Sequence, residues 1–379
     1  MHHFQFYNPV KILFGAGQII NITNNIPQGS KVLMIYGGGS IKKNGIYDQV
    51  KKALFPFISL EFGGVEANPR YETLMKAVEL VRKEKIDFLL AVGGGSVIDG
   101  TKFIAAATYF TEVDPYTICS QGAKVEKAVP FGSVLTLPAT GSEMNCGGVI
   151  SRNSTQEKFA FHTPLVFPQF SILDPTLTIS LPKRQRINGV VDAFIHVTEQ
   201  YLTYPVQADI QDRFAEAILS TLIDNGKNYV DNPEDMDAAS NIVWASSMAL
   251  NGLIAVGVPE DWGTHMIGHE ITALEGLDHA QTLALVWPGL QRSLEKSKHE
   301  KLLQFASRIW GVQDTELGIE KTEHFFRDLG MGTRISDYPQ LSKDFIDKIV
   351  QRFKEREVQL GERGEITYKV VKDILESRK

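Results

Sequence analysis

An α/β domain followed by an all-helical domain is the fold class that this 379-residue chain predicts. Three observations carry that expectation. Short β-branched or aliphatic runs alternate with amphipathic stretches through the first half, glycine-rich turns follow two of those runs, and from Pro182 onward only helical periodicity remains.

The strand-like runs are Lys31 to Tyr36, Ile58 to Phe62, Asp87 to Val92, Gly132 to Leu137 and Phe170 to Leu173. Between them, Tyr71 to Lys85 sets Leu74, Val78 and Val81 at helical spacing opposite Lys76, Glu79, Lys83 and Glu84, as a helix covering a sheet requires. The alternation implies a parallel sheet with helices on its faces, a Rossmann-like domain. Past Leu173-Asp174-Pro175 the character changes: helical periodicity covers 183–203, 207–225, 236–255, 263–275 and 279–295 and continues to Lys379. Pro182 suits the first turn of a helix, where its missing N–H does no harm. The expected division is an α/β domain over residues 1–180 and a helical domain over 181–379.

With 43% hydrophobic and 22% charged residues, the chain has enough apolar surface to offset its conformational entropy and fold. Its 39 Lys and Arg against 45 Asp and Glu leave a net charge of −6 with no long basic block, which argues against nucleic acid and anionic membrane as partners. The segment Met1 to Lys11 has neither a basic n-region nor a continuous apolar h-region, so a cytoplasmic protein is expected. Ala238 to Pro259 is uncharged but contains Asn241, Asn251 and several Ser, and reads as a buried helix rather than a membrane span. Cys119 and Cys146 supply neither a disulfide framework nor a CxxC metal motif.

Asp87 to Val92 runs into Gly93, Gly94 and Gly95 and a helix beginning near Ser96. Three glycines let the backbone approach a ligand closely, and N–H groups at the helix start attract phosphate. The competing reading is a tight turn with Ser96 as N-cap and Asp99 completing a capping box. Gly37-Gly38-Gly39-Ser40 repeats the arrangement after an earlier strand, and although neither loop is G-x-G-x-x-G, two such turns at strand ends favour a nucleotide. Tyr36 to Lys43 holds no carboxylate for a ribose 2′-hydroxyl but offers Ser40, Lys42 and Lys43, which favours NADP over NAD; the competing reading is a solvated helix start. A third loop, Leu137 to Glu143, brings hydroxyl donors for a nicotinamide or ribose, or forms an ordinary turn.

Asp192 and His196 stand at i and i+4 on one face of a helix whose neighbours are almost all apolar. A carboxylate buried there is costly unless paired. His265, His269 and His279 lie within fifteen residues of one another, although the chain has only nine His. One Asp with two or three His is a ligand set suited to Fe(II), Zn or Mn with a position open for substrate; the bland alternative is a buried helix pair beside hydrogen-bonded core histidines. Proteolysis is disfavoured because Glu270 follows an H-x-x-x-H instead of standing inside H-E-x-x-H, and no G-x-S-x-G elbow supports a serine hydrolase.

Ser171 to Asp174, Pro182 and Ile187 to Phe194, ending at Glu199, resemble the first signature of the iron-activated (group III) alcohol dehydrogenases. Trp262, His265, Gly268-His269, Leu277, His279-Ala280 and Thr282 resemble the second, and with the glycine loops the similarity covers essentially the whole chain. The start Tyr36-Gly37-Gly38-Gly39-Ser40, with Lys42 and Lys43, is similar to the branch of NADPH-dependent aldehyde reductases and butanol dehydrogenases. The resemblance implies a dehydroquinate synthase-like architecture, with the α/β domain binding the dinucleotide and the helical domain the metal. It implies that Asp192, His196, His265 and His279 bind one divalent metal, Fe2+ or Zn2+, with His269 beside the substrate as a proton relay. NADP(H) contacts are implied for Gly37, Gly38, Ser40, Gly94, Gly95, Ser96, Asp99, Thr136, Thr140, Ser142 and Lys158; NAD-using relatives carry Asp where Gly38 stands. A homodimer is implied, pairing through a strand such as Lys11 to Gly15. The expected reaction is hydride transfer between NADP(H) and an aldehyde or primary alcohol, running as aldehyde reduction with the metal as Lewis acid. The alternatives are a zinc- and NAD-dependent glycerol dehydrogenase of the same architecture, or an inactive nucleotide-binding protein, which need not keep the Asp and three His together.

Overall fold

The structure is a computed structural model describing residues 1–379. Eight strands form: β1 (Lys11–Phe14), β2 (Lys31–Tyr36), β3 (Ile58–Phe62), β4 (Phe88–Gly94), β5 (Phe131–Leu137), β6 (Gly147–Arg152), β7 (Glu157–His162) and β8 (Phe170–Leu173). Six make one parallel sheet in the order β1-β8-β5-β4-β2-β3. The five apolar runs become five of these strands. The sixth, β1, is an edge strand of four residues in register with β8, on the Lys11 to Gly15 segment that the family resemblance put forward as a strand.

Alternation along the central strands sends side chains to two buried faces, which is why these strands read as unbroken apolar runs. Val32, Met34, Phe88, Leu90 and Val92 pack on one face with Ile41, Ile46 and Val50. Leu33, Ile35, Leu89 and Ala91 pack on the other with Leu74, Val78 and Val81 of the Tyr71–Glu84 helix and with Ile98 and Ile104 of the Gly95–Ala107 helix. From β2 the chain adds β3 on one side and then crosses to place β4 on the other, so the strand order reverses between β2 and β4. Ligands of open parallel sheets bind beyond the carboxyl ends of strands at such a reversal. The two triple-glycine turns leave β2 and β4 at that point.

The antiparallel pair β6–β7, in register from Gly147↔His162 to Arg152↔Glu157, is an addition to the expected scheme. Beyond residue 182 the named elements are all helical, apart from an isolated bridge between Leu360 and Ile366. The helices Lys183–Tyr201, Gly263–Glu275 and His279–Ser293 begin where the periodicity placed them. Phe194 packs edge-on against Phe305 and Phe326, and Ile267, Ile271, Leu285 and Leu290 form a second core with Ile349 and Ile374.

The chain forms two compact units that depart from a single cut in sequence. The sheet unit comprises Tyr7–Leu181 and Pro233–Ser247; the helical unit comprises Met1–Phe6, Pro182–Asn232 and Met248–Lys379. Residues 233–247 join the sheet unit because Val243 enters its core and Trp244 packs edge-on to Phe14. The helix expected over 236–255 stops at Ala249, and Gly252 and Gly257 beyond it adopt positive φ, 89° and 72°. No helix is long and apolar enough to cross a membrane.

Candidate active site

In the sheet unit, the loops after β2, β4 and β5 carry most of the residues expected to touch a dinucleotide. Gly37 and Gly38 leave β2, and Gly39, at φ 94°, turns the chain into a short helix starting at Ser40. Gly94, not Ser96, is the N-cap of the Gly95–Ala107 helix, with no side-chain cap, so the capping-box alternative does not form. Ser96 Oγ instead accepts from the Asn68 N–H at 3.4 Å. A side chain at Gly95 would overlap Thr140, so the absence of Cβ is what lets the β4 and β5 loops close on each other.

Asp99 has both oxygens engaged inside the protein: Ser142 Oγ donates at 2.5 Å and the Val149 N–H at 2.9 Å. Burial pushes its carboxyl up despite these donors. Its visible task is to fasten the Ser142 loop to the helix. Lys158 Nζ donates to Asn68 Oδ1 at 2.9 Å, so Asn68 lies between Ser96 and Lys158. Thr136 is half-buried near the end of β5. Lys102, a residue sequence reasoning passed over, is fully buried and donates to Asn145 Oδ1 and Gly147 O, both at 2.7 Å. Burial pushes it down to about 8. The one basic residue of an otherwise largely apolar helix, it carries a signal in the sequence.

Lys42, read from the sequence as a lysine favouring NADP, has partners of its own in the structure. Lys42 Nζ lies 3.7 Å from Glu61 and over the Tyr36 and Tyr47 rings at 4.9 and 4.8 Å. Tyr36 Oη donates to the same Glu61 at 3.1 Å. Glu61, on the neighbouring strand, is thus the carboxylate that meets Lys42, a pairing local sequence could not reveal.

In the helical unit, Asp192 and His196 share one face of the Lys183–Tyr201 helix, and His265 and His269 share one face of Gly263–Glu275. That second helix ends on Gly276 at φ 73°, and a two-residue link leads to His279 at the start of the next. A capping box from Asp278 to Gln281 fixes that start, and Asn188 donates to Asp278 at 2.8 Å. Gly268 lets the two helices approach: a Cβ there would meet Thr282 Oγ1 at 2.7 Å.

Asp192 Oδ1 is the hub of the cluster. It lies 3.6 Å from His196 Nδ1, 3.8 Å from His265 Nε2 and 3.8 Å from His279 Nε2. Ligand atoms of Asp192, His265 and His279 lie within 4.8 Å of one another, while His196 stands outside that tightest set and stacks on His265 with centroids 4.5 Å apart. His269 is buried beside the cluster, its ring 6.2 Å from that of His265 and 5.2 Å from that of His279. Donors bound to one ion at ~2.1 Å in tetrahedral array sit roughly 3.4 Å apart, close to the spacing seen around Asp192.

The donor set fits a divalent cation on a second count. His265 Nε2 is buried with no hydrogen-bond partner, while its Nδ1 is held by Glu199. Burial opposes a charge on this ring, but the Glu199 and Asp192 carboxylates outweigh it and push His265 up to about 9. The pocket therefore favours positive charge between its carboxylates, a condition a dication also meets. Trp262 opens the Gly263–Glu275 helix at φ 58°, a conformation few bulky residues adopt, and its ring lies edge-on to His265 at 5.3 Å.

Two stretches of the chain match known family descriptions: residues 9–175 match "Iron-containing alcohol dehydrogenase" and residues 186–378 match "Fe-containing alcohol dehydrogenase family, C-terminal". The chain belongs to the iron-containing alcohol dehydrogenase family. Within that family it is 52% identical, over all of both chains, to the NADPH-dependent aldehyde reductase YqhD of Escherichia coli. The crystal structure of E. coli YqhD matches with a TM-score of 0.98 at 51% identity, covering 100% of this chain and 99% of that one. NADH-dependent butanol dehydrogenase A of Thermotoga maritima matches with a TM-score of 0.95 at 34% identity, again covering 100% and 99%. The parallel-sheet unit and the helical unit are thus the architecture of this dehydrogenase family.

Proposed function

We propose that this chain reduces aldehydes to primary alcohols with NADPH and one divalent cation, Fe2+ or Zn2+. One observation carries the reading: a buried Asp192 oxygen stands 3.6, 3.8 and 3.8 Å from nitrogens of His196, His265 and His279. It occurs in a chain 52% identical over its full length to an NADPH-dependent aldehyde reductase. The reaction consumes one aldehyde, one NADPH and one proton and yields the alcohol and NADP+, the hydride leaving C4 of the nicotinamide.

Asp192, His196, His265 and His279 would hold the cation, which when bound supplies Lewis-acid polarisation of the carbonyl. Gly37, Gly38 and Ser40 receive the 2′-phosphate end of the coenzyme. Gly94, Gly95 and Ser96 offer backbone N–H groups to the diphosphate at the opening of their helix. Thr136, Thr140, Ser142 and Lys158 serve the remainder, with Asp99 fastening the loop that carries Ser142. His269, its ring 5.2 Å from that of His279, is the candidate donor of the proton that completes the alcohol. We also propose a cytoplasmic homodimer: β1 pairs along one edge only, with β8, leaving its other edge for a second copy.

The deciding experiment follows NADPH and NADH oxidation with a panel of aldehydes, and NAD reduction with glycerol, on protein whose metal is measured by elemental analysis. NADPH oxidation by aldehydes, metal-dependent and near one cation per chain, is the expected result. NAD reduction by glycerol in its place would assign a polyol dehydrogenase, and inactivity with no metal would assign a nucleotide-binding protein. His269→Ala is expected to lower turnover about 100- to 10,000-fold while sparing bound metal. Stoichiometric loss of metal in that variant would place His269 among the ligands instead.

A further inference from the structure

Asp192, His196 and Glu199 recur at i, i+4 and i+7 and so share one face of the Lys183–Tyr201 helix. The Glu199 side chain is only 1% exposed, and a carboxylate so placed must be satisfied from within the protein. Its Oε1 accepts from the Thr264 N–H at 2.6 Å and the His265 N–H at 3.3 Å, and its Oε2 meets His265 Nδ1 in a short contact. The first N–H groups of a helix are normally met by the N-cap side chain. Here the N-cap is Trp262, which makes no such bond, so Glu199 serves from another helix.

A cap alone needs only the backbone contacts. The contact to Nδ1 does something further. A cation must displace the Nε2 proton to bind the ring; the imidazole then donates from Nδ1 and turns its lone pair on Nε2 to the ion, its orientation fixed along with its tautomer. That Nε2 is buried, lacks a hydrogen-bond partner and lies 3.8 Å from Asp192 Oδ1.

We infer that Glu199 is a positioning residue for the cation site: through Nδ1 it fixes the His265 ring so that the Nε2 lone pair faces Asp192 and His279. The inference rests on the proposed divalent-cation site. The buried charge of Glu199 also adds to the negative potential that would retain the ion.

The test measures Zn2+ affinity of metal-stripped protein by chelator competition, together with the visible spectrum of the Co2+-loaded form. Glu199→Gln keeps an oxygen to accept from the backbone N–H groups, but its amide group offers a donor, not an acceptor, to Nδ1. The variant is expected to fold, to bind NADPH as wild type does, to bind Zn2+ about 10- to 100-fold more weakly and to show an altered Co2+ spectrum. Glu199→Asp keeps the charge but withdraws the oxygen by one methylene. Its Zn2+ affinity is expected to fall between those of wild type and Glu199→Gln, and it provides the measurement should the Gln variant not fold. Wild-type Zn2+ affinity and Co2+ spectrum in Glu199→Gln, or in Glu199→Asp if that variant alone folds, would overturn the inference and leave the cation site standing. Failure of the wild-type protein itself to bind Zn2+ or Co2+ would strike the cation site instead.

Discussion

Asp192→Ala is expected to empty the divalent-cation site and to lower aldehyde reduction at least about a thousandfold. The carboxylate is buried, and its Oδ1 is the atom that three imidazole nitrogens surround at 3.6, 3.8 and 3.8 Å. Removing it deletes the anionic ligand of the set and leaves only imidazole rings as donors. Lewis-acid stabilisation of a developing alkoxide supplies several kcal/mol, and about 4 kcal/mol corresponds to roughly a thousandfold in rate. Asp192→Asn keeps the shape and removes the charge. It is expected to lose most of the metal as well, because an amide oxygen is a weaker partner for a dication. Elemental analysis after gel filtration and steady-state NADPH oxidation, with and without added Fe2+ or Zn2+, measure both effects. Undiminished activity in metal-free protein would remove the Lewis-acid role altogether.

What the sequence made legible was whatever depends on local pattern. β2, β4, β5 and β8 are apolar runs because helices or loops bury both faces of the sheet there, and Asp192, His196, His265 and His269 show their shared faces by four-residue spacing alone. Hidden were the features that depend on partners distant in the chain. β6 begins on two glycines and β7 is half charged or polar, so their antiparallel register is fixed only when the two pair. Glu199 stands on the same helical stripe as Asp192 and His196, but its partner at His265 is 66 positions away. The capping box that competed with a nucleotide turn at Ser96 and Asp99 is absent, and the Asp99 oxygens are taken by Ser142 and Val149, distant in the chain. The uncharged run to residue 255 kept helical composition, while the helix ends at Ala249 and Gly252 at positive φ turns the segment that follows. Residues 233–247 follow helical neighbours in sequence yet fold with the sheet unit, where Ser247 Oγ donates to the buried Glu143 carboxylate.

Gly38→Asp is expected to reverse coenzyme preference from NADPH to NADH, with the ratio of kcat/KM values moving about 100-fold or more. The position accepts a side chain without steric cost: a Cβ on Gly38 would meet nothing within 4 Å, and its φ lies outside the left-handed region that Gly39 occupies. The substitution therefore tests charge rather than folding. A carboxylate about 5 Å from a 2′-phosphate costs roughly 3 kcal/mol at an effective dielectric of ~20, equivalent to about 100-fold or somewhat more. Against NADH the same carboxylate has a ribose hydroxyl to accept from, so the change repels one coenzyme and recruits the other. Lys42 does not cancel the effect, because its ammonium already lies 3.7 Å from Glu61 and against the rings of Tyr36 and Tyr47. Gly38→Asn, similar in size and uncharged, is expected to shift the ratio far less. Titration of both variants with NADPH and NADH at fixed aldehyde reads the outcome. Equal shifts for Asp and Asn would assign the effect to bulk, and no shift in either would move coenzyme selection away from this loop.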